Sequence, residues 1–234
     1  MRCVVHLLLG LVLACFFGLA QVDGADWTDA KLDKTIAKMH QAADKKKWSR
    51  AILHGQEMLK GFAALDAHDS DRYAHQLKNL CTYYDKEGRL KDIADLVRLA
   101  YDQAKLHLSP DHNTTMVSRN LLYKLFVSEA KYRDALPLAQ ENVALSGSGR
   151  DGDFRRLYYV RQLFSLYGLM ADFAAQEPVL EQYLELNSQL FGRHDNETKR
   201  ILDLLATNYC RQGKVDKFQG VVVTYDLKLT CPVP

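Results

Sequence analysis

The sequence is poor in residues that break helices. It has 5 prolines and 13 glycines in 234 residues, and few runs of β-branched residues. A chain so short of turn punctuation, with ordinary apolar and charged fractions, points to helix throughout and argues against an all-β fold. It also lacks an excess of either charge: 31 Lys and Arg face 29 Asp and Glu. Charge therefore gives no case for nucleic-acid binding. Catalytic patterns are missing as well. No HExxH pair, Cys/His metal spacing, glycine-rich phosphate loop, nucleophile elbow or dinucleotide fingerprint occurs. These absences predict no catalysis, no metal and no cofactor.

One long apolar run is present, Val4–Ala20, and it stands apart from the rest. It follows Arg2 and ends in the small residues of Gly18-Leu19-Ala20. We read residues 1–20 as a secretory signal peptide, with cleavage alternatively as late as Gly24. Two other readings stay open: an uncleaved anchor, since the run approaches spanning length, and a lipid anchor at Cys15, since Leu13-Ala14-Cys15 loosely resembles a lipobox. The expected location is extracellular, periplasmic or the secretory lumen, with no membrane contact once the leader is removed. Of 5 cysteines, Cys81, Cys210 and Cys231 would remain. Three is an odd number and no full disulfide framework follows. A helix between Cys210 and Cys231 would hold them roughly 20 Å apart at 1.5 Å per residue unless the tail folds back. We therefore expect free or buried thiols.

What the sequence has in abundance is an internal repeat. Leu121, Leu122, Leu125 and Phe126 lie on one helical face, then Glu129-Ala130-Lys131 interrupts, and Tyr132, Ala135, Leu138, Ala139 and Val143 resume. This predicts a helical hairpin turning at Ala130. Pivots recur at Gly88, Ala130, Ala171 and Gly213, about 42 residues apart. An aromatic stands four before each: Tyr84, Phe126, Tyr167 and Tyr209. Leu80, Leu122, Leu163 and Leu205 stand eight before. Leu90, Tyr132, Phe173 and Val215 stand two after. A weaker upstream unit pivots at Lys46, with Trp48 and Ala51 after it. A period of this length marks stacked supersecondary units.

The pattern resembles the tetratricopeptide repeat. Its length, with Leu108–Asn113 before a first helix and Lys131–Leu138 in a second, looks like the kinesin-light-chain type. The resemblance covers about residues 26–229, with 230–234 as a short tail. It implies an all-α, right-handed superhelical solenoid of about five antiparallel hairpins. The family prefers a small residue seven before the pivot; here Cys81, Tyr123, Phe164 and Ala206 stand there. Tyr123 and Phe164 imply looser or shifted packing, as does Gln176 where alanine is usual.

In that family, first helices line a concave groove. Carried over position by position, residues ten, six and three before each pivot face inward. The candidate peptide-binding residues are Lys78, Thr82, Asn120, Lys124, Arg161, Ser165 and Asp203; Asp85, Gly168 and Cys210 occupy the third column. The basic and amide groups would donate hydrogen bonds to carboxylates or peptide carbonyls. The resemblance thus implies an exported, non-catalytic adaptor for a protein or extended peptide. The alternative is an anchored structural subunit of an envelope or secretory assembly. Asn113-Thr114-Thr115 and Asn196-Glu197-Thr198 are N-glycosylation sequons in inter-repeat loops. Asp, Ser and Asn in those loops also serve as helix caps.

Overall fold

The computed structural model describes residues 27–147, 149–193 and 195–231. The expected leader, with Cys3 and Cys15, and the last residues of the tail lie outside them. The described residues form ten α-helices and no strand. Contacts divide the chain at Asp69–Ser70 into two compact units. The first holds one hairpin, α1 (Asp29–Asp44) and α2 (Trp48–Ala64). The second holds four: α3 (Asp71–Lys86) with α4 (Ala94–His107), α5 (Asn113–Ser128) with α6 (Tyr132–Ala144), α7 (Arg150–Leu169) with α8 (Phe173–Phe191), and α9 (Asn196–Arg211) with α10 (Val215–Thr224). A short 3₁₀ turn, Leu90–Ile93, leads into α4. Within the second unit each helix packs on the next, and α3 also touches α5.

The pivots have a common backbone cause. Lys46, Gly88, Ala130, Ala171 and Gly213 all lie in the left-handed region, with φ from 54 to 71°. The residue after each pivot then donates its N–H to the carbonyl of the residue four before it. Lys131 N reaches Phe126 O at 2.8 Å, Asp172 N reaches Tyr167 O at 3.0 Å and Lys214 N reaches Tyr209 O at 2.9 Å. This is the Schellman ending, which satisfies carbonyls that the helix leaves over. The aromatic column four before the pivot therefore marks the carbonyl that closes each turn. The loops between hairpins supply caps for the first helices. Ser70 Oγ accepts from Tyr73 N at 3.1 Å, His112 Nδ1 from Thr114 N at 3.1 Å and Asp195 Oδ1 from Glu197 N at 2.8 Å.

The enlarged packing positions are absorbed rather than left loose. Tyr123 is buried and donates its hydroxyl to Gln162 O of α7 at 3.2 Å. Phe164 is buried against Tyr183, with ring centroids 5.0 Å apart. Gln176 donates to Phe164 O at 2.9 Å and accepts from Asn208 at 2.8 Å. The space it fills is opened by Gly168, where a Cβ would meet Gln176 Nε2 at 2.8 Å. Gly168 thus faces the paired helix, not the surface of the first helices, which corrects its assignment.

One polar group sits in the core unannounced. Eleven residues before the pivots, Leu77, Val160 and Leu202 are buried, and Arg119 takes the same column at 0% exposure. Its guanidinium donates to Pro110 O at 2.7 Å and Asn142 Oδ1 at 3.2 Å, and pairs with Glu141 at 3.0 Å. Tyr101 of α4 donates to the same Glu141 at 3.3 Å. The charge ties α4, α5, α6 and a loop together.

The C-terminus overturns the expectation of unpaired thiols. Cys210 and Cys231 are disulfide-bonded, with Cα atoms 5.6 Å apart across 21 residues. The expected helix does not continue. It ends at Thr224, Asp226 adopts φ 48°, and Leu227 N closes on Val222 O at 3.0 Å. The tail is thereby reversed, and Leu227, Leu229 and Cys231 pack against the buried cluster containing Ile201, Leu205, Tyr209 and Phe218. Cys210 is thus a covalent tie to the tail, not a groove residue. Cys81 is free and buried, and burial raises its thiol pKa. A second clasp is Glu177. Burial alone would raise its pKa, but hydrogen bonds from Lys214, Lys217 and Gln212 bring it down to about 2.

Two stability outcomes follow. Truncating Arg119→Ala strips the buried partners and should cost about 3 kcal/mol or more, whereas Arg119→Leu, which restores the apolar column, should recover most of it, because buried ion pairs are replaceable by well-packed hydrophobes. Urea denaturation of both variants measures the difference. Cys231→Ser should lower stability by about 3 kcal/mol, the loop-closure value for a link of this span, read as a fall in Tm.

Candidate functional site

The exposed surface of the first helices in the second unit is the candidate site. Two cross-helix ties and one within α7 assemble it. Lys124 of α5 pairs with Asp85 of α3 at 2.6 Å. Asn120 of α5 reaches the Tyr158 hydroxyl of α7 at 3.4 Å. Gln162, one turn along α7, donates to the same hydroxyl at 3.0 Å. Two amides from adjacent repeats thus converge on one phenol. The carbonyl oxygen of each, Asn120 Oδ1 and Gln162 Oε1, is shielded from solvent and has no hydrogen-bond partner among the described residues. Tyr158 itself remains 45% exposed.

The expected residues fall into three groups. Asn120 and Arg161 lie at the amide cluster's edge of the surface. Arg161 is exposed and has no ion pair among the described residues. Ser165 and Asp203 are exposed on α7 and α9, and the Thr207 hydroxyl donates to Asp203 O at 2.8 Å. Lys78, Thr82 and Lys124 are half-buried and engaged. Lys78 donates to Asn79 Oδ1, and burial lowers its pKa. Thr82 donates back to Lys78 O at 2.8 Å. Lys124 is neutralised by Asp85. Of the three lysine and arginine candidates, Lys124 alone is paired with a carboxylate among the described residues, and Arg161 is the exposed cation while Lys78 is half-buried.

Tyr158 was not anticipated. It stands thirteen before its pivot, one helical turn upstream of the column of Asn120 and Arg161, and extending the same spacing reaches it. Phe154 lies a further turn along α7, 41% exposed and edge-on to Phe191 at 5.9 Å. The α7 face thus runs from apolar Phe154 through Tyr158 to Arg161 and Ser165.

The sequon asparagines, Asn113 and Asn196, are both exposed and open α5 and α9. Their threonines are inside. Thr115 donates to Ala104 O at 3.4 Å. Thr198 donates to Gly192 O at 3.0 Å and accepts from Asn187 at 2.8 Å. The Asn-x-Thr spacing recurs here because the threonine anchors the loop. Among the described residues no group of three or more His, Cys, Asp or Glu is placed to hold a metal, and no helix is long and apolar enough to cross a membrane.

No family model matches the chain, and no curated protein does. Solved structures do. A Podosopora anserina kinesin-light-chain-type protein with nearly identical TPR-like repeats is similar at TM-score 0.62 and 14% identity, over 82% of this chain and 92% of that one. A single-residue variant of it gives 0.61 over 83% and 92%. BtubC (BKLC) from P. vanneervenii gives 0.59 at 18% identity, over 88% and 85%. At such identities the likeness establishes the fold. The chain shares the fold of the tetratricopeptide-like helical hairpin repeats seen in kinesin-light-chain-like proteins.

The Lys124–Asp85 pair is part of that fold. A double-mutant cycle with Lys124→Gln and Asp85→Asn should return a coupling of about 0.5–1 kcal/mol, near the upper end for exposed pairs because both groups are half-buried. Denaturant midpoints of the four proteins give the number.

Proposed function

We infer that this protein is an exported, non-catalytic adaptor that holds an extended segment of another protein against its first helices. The observation that carries the reading is the Asn120–Tyr158–Gln162 cluster. It places two half-buried amides from adjacent repeats against one exposed aromatic hydroxyl. An extended backbone presents C=O groups at regular intervals; the Tyr158 hydroxyl, which accepts from both amides, keeps its own O–H to donate to them, and each amide keeps a second N–H. The neighbouring Arg161 adds a charge-assisted donor for a carboxylate or carbonyl, and Phe154 adds apolar area. Lys124 does not belong to the binding set, since its charge is already spent on Asp85.

Export is supported by two independent features. The Val4–Ala20 run reads as a leader. The Cys210–Cys231 bond belongs with an oxidising compartment, because cytosolic thiols are kept reduced.

The test is a comparison of wild type with a Tyr158→Ala/Arg161→Gln double variant. Both side chains are exposed, so the Tm should stay within about 2 °C. Immobilised on beads and exposed to the secretory extract of the source cell, the variant should retain the specific partner at least about tenfold less, the loss of a hydrogen-bonded aromatic anchor. Equal retention at equal Tm would remove the first-helix surface as the binding site.

A further inference from the structure

The first hairpin carries a feature that peptide capture leaves unused. From Lys34 to Arg50 the cations are Lys34, Lys38, Lys45, Lys46, Lys47 and Arg50, and Asp44 is the sole carboxylate. All six are exposed. The whole chain is only +2, so the remainder is net acidic, and three of these cations, Lys45, Lys46 and Lys47, are consecutive at the turn.

Comparison within the molecule shows that this is not the ordinary state of the turn. The residue after the pivot is a cation in four of the five hairpins. Arg89 is held by Asp92 at 2.9 Å and Glu87 at 3.3 Å. Lys131 is held by Glu129 at 2.7 Å. Lys214 is held by Glu177. Lys47 has no ion pair among the described residues, and the same is true of its neighbours Lys45, Lys46 and Arg50. The α2 helix starting at Trp48 also has no side-chain cap, so its positive N-terminal end adds to theirs.

We propose that the α1–α2 turn is a docking point for an anionic lipid surface. Three consecutive cations on a turn between two helices form a blunt end, which meets a plane more fully than it wraps a chain. One turn beyond Arg50 on the same helix, Leu53 is 63% exposed and supplies an apolar group at the interface. This contact is peripheral and spans nothing. It departs from the sequence-based expectation that the protein has no membrane contact without its leader.

The test uses the full chain and vesicles of phosphatidylcholine, with or without 30% phosphatidylserine as an order-of-magnitude physiological anionic content (~30%). Co-sedimentation should be greater on the anionic vesicles and fall as salt rises from about 0.05 to 0.5 M. The variant Lys45→Gln/Lys46→Gln/Lys47→Gln/Arg50→Gln should lose the anionic increment, about fivefold per charge removed. Any leader-driven binding is common to both proteins and to neutral vesicles, so it cancels. A charge-matched control, Arg155→Gln/Arg156→Gln/Lys199→Gln/Arg211→Gln, should keep most of the increment. The proposal is overturned if binding ignores phosphatidylserine, if the control loses as much as the turn variant, or if the turn retains heparin beads but not anionic vesicles.

Discussion

The left-handed residue at each hairpin tip is the constraint on which the rest depends. It ends a first helix, closes its last carbonyl and starts the second helix at a set angle. The apolar stripes on either side are then brought face to face. A hairpin of this kind cannot bury its outer apolar face alone, and in the second unit each one gains that burial from the next. Two of the five tips use glycine, where the conformation is free of Cβ strain. Ala130, Ala171 and Lys46 accept the strain instead, which only strong packing on both sides can sustain. The same device is used twice outside the tips. Asp66 closes α2, and Asp226 turns the tail after α10.

Around this repeated turn the sequence departs from apolar packing in pairs, and each departure is answered. Arg119 replaces a leucine-like residue but is met by Glu141, Asn142 and the carbonyl of Pro110. Gln176 replaces a small residue but is given room by Gly168 and a partner in Asn208. A buried polar group without such answers would cost more than the packing it displaced. These ties also fix which helix neighbours which, a role that interchangeable leucines in a repeat cannot fill.

The repeat was legible because turn chemistry and helix period both leave marks at fixed spacing. Pivot, aromatic and leucine columns describe one backbone event, and all five pivots are left-handed in the structure. What escaped reading were events without a period. The end of α10 is set by a single left-handed Asp226, and nothing in Val221-Val222-Val223 announces it. Continuing the helix on paper separated Cys210 from Cys231; reversing the tail joins them. Arg119 escaped for a different reason. Its column, eleven before the pivot, otherwise holds Leu77, Val160 and Leu202, and a lone arginine among polar helix-face residues carries no period of its own. Among the candidate site residues, spacing found the surface but not the pairing. Lys124 and Arg161 look equivalent in sequence, and only the position of Asp85 distinguishes a spent charge from an available one.

That distinction governs how the surface divides between folding and recognition. Polar groups on the first helices have three fates. Some bond back to their own helix, as Thr82 does. Some bridge to the adjacent repeat, as Lys124 and Tyr123 do. A few stay exposed at the surface, as Tyr158 and Arg161 do. The first two kinds stiffen the stack, and a stiff stack presents the third kind in a fixed arrangement before any partner arrives. Preorganisation of that sort lowers the entropic cost of ordering the binding groups. The recognition chemistry we propose would therefore be concentrated where α5 meets α7. The disulfide and the Glu177 clasp, at the far hairpin, hold the end of the same stack closed.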